Sequence, residues 1–175
     1  MNSGTIRVRP AIPADGEVWL SLIDALADYE QLPRPDASAR QRLLSDAFGE
    51  RLRLQVFLAE SSNRIIGYAM TFETYSSFLA MPTLYLEDLF VLKDYRGQGA
   101  GFQLFRHCVQ EAHRRGCGRM EWQVLDWNRP AIDFYERIGA RQLKEWLPYR
   151  LLRKDMEVLL DFEQAELSGK EKDDT

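Results

Sequence analysis

The chain has 175 residues and a mass of 20.4 kDa, a length that favours one domain. Hydrophobic residues make up 45% and charged residues 29%, which excludes disorder and collagen-like repeats, and no apolar run approaches the roughly 20 residues of a membrane span. With 23 basic against 27 acidic residues the net charge is −4, which excludes a global basic field for nucleic acid.

The opening MNSGTIRVRP lacks the basic start and apolar stretch of a secretory leader. Cys108 and Cys117 form no disulfide framework and suit a reducing compartment. The expectation is a soluble cytoplasmic protein with a single domain over residues 1–175, its core about 5–160 and its polar tail about 163–175.

A strand is expected from Thr5 to Arg9, closed by Pro10. Asp15 is a candidate N-cap for a first helix, in which Trp19, Leu22, Ile23 and Leu26 recur at helical spacing to about Glu30. Leu32-Pro33-Arg34-Pro35 breaks it, and a weaker helix follows from Ser38 to Phe48, ended by Gly49. Leu54 to Glu60 and Ile65 to Phe72 read as a hairpin around Ser61-Ser62-Asn63-Arg64, and Thr83 to Leu92 as a third strand. A glycine-rich turn, Tyr95 to Gly101, opens a helix whose expected buried stripe is Phe102, Phe105, Val109 and Ala112. Arg119 to Leu125 is another strand, Asn128-Arg129-Pro130 starts a helix that ends at Gly139, and Leu143 to Lys154 supplies one or two last strands. The fold class is α/β, an α+β sandwich with a mixed sheet.

The strand, glycine turn and helix at residues 84–115 carry the most information. Glycines let backbone amides line a concavity while the helix N-terminus adds partial positive charge, which favours a phosphate or pyrophosphate. The plain alternative is a tight turn that needs glycine's positive φ. A dinucleotide fingerprint fails because its third glycine is Phe102, and a triphosphate loop fails for want of Gly-Lys-Ser/Thr. The pattern that fits is Arg/Gln-x-x-Gly-x-Gly/Ala, at Arg96, Gly99 and Gly101.

In this turn the sequence resembles the GNAT superfamily of acyl-CoA-dependent N-acetyltransferases. The resemblance runs over roughly residues 5 to 160 and includes Arg9-Pro10-Ala11 and Asn128 to Ala140 (NRPAIDFYERIGA). Tyr85-Leu86-Glu87-Asp88-Leu89-Phe90-Val91, Asp94-Tyr95-Arg96-Gly97, Trp127-Asn128 and Ala27-Asp28-Tyr29-Glu30 are similar to the spermidine/spermine, or diamine, acetyltransferase branch. Leu147-Pro148-Tyr149 departs from the branch's usual Gly-Trp pair near the substrate end.

The resemblance implies a mostly antiparallel sheet with helices on both faces, acetyl-CoA as cofactor and a homodimer. It places pyrophosphate on Gly97, Gln98, Gly99, Ala100, Gly101 and Phe102 beside Arg96, and the pantetheine arm on Leu89, Phe90, Val91 and Asn128. Acetyl transfer also needs a base for the ammonium and an acid for the departing thiolate. Glu87 is the candidate base, against a solvated strand carboxylate, and Tyr135 the candidate acid, against a core aromatic. Tyr135 also counts among the cofactor contacts. Glu87 and Asp88 share a face only if a bulge interrupts the strand.

A cation would be read by carboxylates, with Asp28, Glu30, Glu87, Asp88 and Asp126 available, and by the aromatic faces of Tyr29, Tyr75, Trp127 and Tyr149. The implied substrate is a small cationic amine: a diamine or polyamine, or thialysine or a lysine-like amino acid. A peptide amine, or a non-catalytic acyl-CoA sensor, is the alternative. His107 and His113 lack metal-ligand spacing, Cys108 reads as core and Cys117 as a weak nucleophile candidate. Arg114, Arg115 and Arg119 form a patch suited to a nucleotide 3′-phosphate or to solvent. No metal, nucleic acid or membrane partner is expected.

Overall fold

The computed structural model describes residues 5–160; the expected tail lies outside the described residues. The chain divides into two compact units, one running to Val124 and one from Leu125.

The first unit is a five-stranded sheet in the order β1-β2-β3-β4-β5, with β1 Arg7–Pro10, β2 Gln55–Ser61, β3 Arg64–Ser76, β4 Met81–Val91 and β5 Arg119–Trp122. All pairs are antiparallel except β4–β5, which is parallel. Helices α1 (Gly16–Glu30) and α2 (Ala37–Phe48) precede β2, and α3 (Ala100–Arg114) links β4 to β5. The β2–β3 hairpin forms where the sequence places it. Ser62 and Asn63 both take positive φ, the backbone that matches a two-residue turn to strand twist.

Alternation sorts the strand residues onto two faces. On one face Val56, Leu58, Tyr68, Met70 and Phe90 pack with Trp19 and Leu22 of α1 and Ala47 of α2. On the other lie Phe57, Ala59, Ala69, Leu84 and Leu86, with α3 burying Leu104, Phe105, Cys108 and Ala112. Helices therefore cover both faces, as expected.

Three local expectations change. The stripe of α3 is rotated: Phe105 and Ala112 are buried, but Phe102 is 48% and Val109 44% exposed, and Leu104 and Cys108 take their places. The small residues at the start of α3 decide this, because Ala100 is buried and Gly101 faces Val91. Asp15 makes no side-chain cap to α1. It instead receives two bonds from Arg9, at 2.6 and 2.9 Å, and the amide of Ile12 at 2.8 Å. The Arg9 guanidinium holds the Asp15 carboxyl below the usual carboxylate range. An ion pair with β1 outweighs a local cap here.

The third change concerns the end of the chain. In the second unit α4 spans Arg129–Arg137, with proline in its first turn. No strand forms over Leu143 to Lys154; residues 143–152 carry no helix or strand and 153–160 are helical. Pro148 removes a ladder donor from the middle of the expected strand, and Arg153 bonds Glu157 one turn on at 3.0 Å, a helix-supporting pair.

Gly67 lets β3 and β4 close together. A Cβ there would stand 2.5 Å from the Phe90 carbonyl oxygen, an atom that cannot swing aside. Gly67→Ala is expected to lower stability by about 1–3 kcal/mol, read as a shift of the urea midpoint at unchanged slope.

Candidate functional site

The site is built along β4. Met70 pairs with Asp88 and Thr71 with Leu86, so Glu87 is an extra residue, a β-bulge. Leu84 and Leu86 face α3. Beyond the bulge Asp88 and Phe90 sit opposite Met70 and Tyr68 on the α1 face. Tyr85 stacks on Phe72 on that face, and Glu87 follows Tyr85 by alternation. The bulge that the sequence could not supply is present, and both carboxylates share one face.

Tyr68 donates its hydroxyl to Asp88 Oδ2 at 2.9 Å. Burial pushes the Asp88 acid up to about 6; the Tyr68 bond opposes this, and the charges of Glu87 and Glu30 add to it. Glu30 ends α1, and burial raises its acid too. Helix α1 stops there because Gln31 takes a left-handed backbone, and the Leu32 amide returns to the Ala27 carbonyl at 2.9 Å.

Several other carboxylates of the first unit are taken up in ion pairs. Asp15, Asp24, Asp28, Asp46, Glu60, Glu111 and Glu121 each hold an arginine. Among the described residues no cationic side chain pairs with Glu30, Glu87 or Asp88. Asp28, a sequence candidate for the cation, is bonded to Arg34 at 2.6 and 2.9 Å and is spoken for. Tyr75, another candidate, lies 68% exposed on the last turn of β3.

Further along β4 the strand edge opens. β5 follows β4 only from Thr83 to Leu86. The Leu92 amide bonds Ile66 on the β3 side, so by alternation the main-chain groups of Leu89 and the Val91 amide face the other edge, where an extended ligand can pair with them, while the Val91 carbonyl accepts from Arg96. Phe90 is buried on the α1 face.

The glycine turn follows. Gly97 and Gly99 have φ of 74° and 91°, and a Cβ on either would meet nothing within 4 Å. Gly99 caps α3 without a side-chain bond, leaving the first-turn amides of Ala100, Gly101 and Phe102 without intrahelical acceptors. This concavity fits a pyrophosphate. Gln98 bonds the Asp94 carbonyl at 3.0 Å, inside the turn.

Arg96 makes contacts beyond those expected from the sequence. Its Nε donates to the Val91 carbonyl at 2.9 Å, and its guanidinium lies 4.4 Å from the Tyr29 ring centroid and 5.5 Å from that of Phe90. It pins the turn to β4 and to Tyr29 at the end of α1. Sequence reasoning missed this link and missed Tyr68, whose only signal was a tyrosine amid the apolar run Ile65–Met70.

The remaining candidates belong to the second unit. Asn128 precedes α4, its carbonyl accepting from Ala131 and Ile132 at 3.1 and 3.0 Å. Tyr135 lies on α4 with its ring against Phe134. Trp127 is 48% and Tyr149 94% exposed.

Other chemistry falls away. Burial pushes the Cys108 thiol up to about 12 and raises that of Cys117, so neither is an activated nucleophile. His107 packs on Phe57, and no metal-binding group of His, Cys, Asp and Glu occurs among the described residues. Arg114 and Arg115 bond Glu111, and Arg119 bonds Glu121. The two on α3 stand at the end opposite the glycine turn, about 20 Å away by helix rise. They are paired surface arginines and do not reach a nucleotide phosphate held at the turn. Among the described residues no helix is long and apolar enough to cross a membrane.

The family model described as the acetyltransferase (GNAT) family matches residues 19–140. A thialysine N-epsilon-acetyltransferase of Sus scrofa is 31% identical over 174 residues, 95% of this chain and 99% of that protein. The human spermidine/spermine N(1)-acetyltransferase-like protein 1 is 32% identical over 162 residues, 89% of this chain and 23% of that longer protein. A solved aminoglycoside N-acetyltransferase in complex with CoA shares the fold at a TM-score of 0.69 and 21% identity, covering 85% of this chain and 95% of that one. The cradle at the start of α3, the open edge of β4 and these likenesses agree: the chain belongs to the acetyltransferase (GNAT) family and is an acetyl-CoA-dependent N-acetyltransferase.

Proposed function

We propose that the protein moves an acetyl group from acetyl-CoA to a primary amine of a small cationic substrate, a diamine or polyamine or a thialysine- or lysine-like amino acid, by direct attack in a ternary complex. One observation carries the substrate class: Glu30 at the end of α1 clusters with Glu87 and Asp88 of β4, the strand that leads into the glycine turn, and among the described residues no cationic side chain pairs with the three. The thialysine and spermidine/spermine names of the relatives support the same class. When bound, acetyl-CoA supplies the activated thioester.

In this reading the amides from Gly97 to Phe102 hold the pyrophosphate. The main chain of Leu89 to Val91 and the Asn128 side chain hold the pantetheine arm. Tyr29, Trp127 and Tyr149 offer ring faces to the amine's methylenes. A primary amine with a pKa of about 10.4 needs about 4.6 kcal/mol to become neutral at pH 7, so its proton must be accepted. Glu87, exposed beside Asp88, passes it to solvent. Tyr135 returns a proton to the leaving thiolate. The chain acts as a single acyltransferase domain, in a cytoplasmic homodimer.

The reading is tested by thiol release with spermidine, putrescine, lysine, thialysine and a short peptide. Turnover of a small amine above the protein-free rate is expected; CoA binding without release on every amine would leave a sensor. Gly99→Val should fold yet lose CoA affinity by calorimetry, because valine is strained at this φ and its side chain fills the concavity. Unchanged affinity in a folded variant would move the phosphate elsewhere.

Tyr135→Phe keeps the ring and removes the hydroxyl. Turnover should fall by roughly 10² with little change in melting temperature, and wild-type turnover would return Tyr135 to packing. Glu87→Gln should lower kcat most near neutral pH, with partial rescue as pH approaches the amine's own pKa. A carboxylate that only attracts the cation would raise KM and leave kcat nearly unchanged. Parallel pH–rate profiles for wild type and variant would exclude the base role.

A further inference from the structure

The core of the first unit holds a polar group that acetyl transfer, as described so far, does not use. Tyr68 lies in the middle of β3, fully buried with Trp19, Leu22, Met70 and Phe90. Its cross-strand partner is Phe90, while Asp88 pairs with Met70. Its side chain therefore runs along the sheet to the next same-face position, a diagonal reach open only to a long side chain, and bonds Asp88 there. Phenylalanine would fill the same core space without the cost of burying a hydroxyl. The hydroxyl serves the carboxylate.

What surrounds Asp88 is unusual. From β3 it faces the Tyr68 hydroxyl, from its own strand Glu87, and from α1 Glu30. Arg96, the cation over the Phe90 and Tyr29 rings, is bonded to the Val91 carbonyl. Asp88 thus sits half-buried beside two like charges with, among the described residues, a single donor, on Oδ2, which leaves Oδ1 for a ligand.

We propose that Tyr68 is a positioning residue of the amine site: its buried hydroxyl fixes Asp88 as an ionised acceptor for the substrate ammonium. This rests on the amine-acetylation reading above. The signs are definite. The Tyr68 bond favours the ionised carboxylate, while burial, Glu87 and Glu30 favour the protonated one. Removing the hydroxyl therefore raises the pH at which Asp88 ionises, and removing the Glu30 charge lowers it.

The test has two arms. In the first, the full chain labelled with ¹³C-aspartate is titrated without substrate, the Asp88 signal being assigned through Asp88→Asn. Its midpoint is expected near pH 6 in the wild type, higher by about one unit in Tyr68→Phe and lower in Glu30→Gln. In the second, amine KM is measured at pH 6 and pH 8 with the best amine of the panel. Tyr68→Phe should raise KM several-fold more at pH 6 than at pH 8, with a smaller effect on kcat.

A merely structural role would lower the melting temperature and move neither readout. An unmoved Asp88 titration in folded Tyr68→Phe overturns the proposal, even if amines are acetylated. If no amine is turned over by the wild type, the amine reading fails and takes the proposal with it, and the titration shows which failure has occurred. Should the phenylalanine variant not fold, the wild-type Tyr68 hydroxyl proton is read directly. It should exchange slowly and shift as Asp88 titrates; a hydroxyl resonance blind to that titration overturns the proposal as well.

Discussion

Glu87 enters β4 as an extra residue opposite Met70 and Thr71, and the side chains of the site take their faces from it. In a regular ladder Asp88 would follow Leu84 and Leu86 onto the α3 face, away from Tyr68. The bulge turns it toward Tyr68 and the end of α1 instead. Two neighbouring carboxylates then share one face, which alternation alone forbids. β5 accompanies β4 only to Leu86, the residue before the bulge, so from the bulge onward the strand is paired on its β3 side alone.

Holding Asp88 there costs stability. Its acid moves from the ordinary 3.8 to about 6, a penalty of roughly 3 kcal/mol at about 1.4 kcal/mol per unit. A raised acid binds its proton more tightly when folded, so the penalty is absent below pH 4 and complete above pH 6. Asp15 behaves oppositely. Arg9 lowers its acid, so its contribution is present at neutral pH and is lost as pH falls. Glu111, held by Arg114 and Arg115 down to about 2, follows Asp15. Asp15 and Glu111 have arginines; among the described residues Glu30, Glu87 and Asp88 pair with no cationic side chain.

This division was only partly legible in the sequence. Elements with a long period or distinctive turn chemistry were readable: α1, the β2–β3 hairpin and the glycine turn before α3 all depend on local residues. What tertiary contact decides was not. Two overlapping apolar stripes run along α3, and only the packing of Ala100 and Gly101 against β4 selects the one through Leu104 and Cys108. Asp15 had a good local use as a cap, and a partner on β1 took it. Leu143 to Lys154 has strand-like composition, but composition supplies no neighbouring strand to bond. The Glu87–Asp88 pair was visible as a dipeptide, whereas the bulge that makes it a pair lies in the register against β3. Tyr68 was invisible as anything but core.

The charges along β4 place opposing demands on one ligand. Amides at the start of α3 favour an anion, and Arg96 is stacked on Tyr29 and bonded to the Val91 carbonyl. In the proposed reading a cation arriving at the bulge meets carboxylates that no cationic side chain among the described residues pairs with. Yet each carboxylate that attracts an ammonium also holds its proton more firmly, and acetyl transfer needs that proton gone. Binding and reactivity pull against each other at the same place. The bulge offers a physical way out, because its two acids differ in surroundings. Asp88 is half-buried and held by Tyr68, suited to keep a charge in place; Glu87 projects into water, where a proton has somewhere to go.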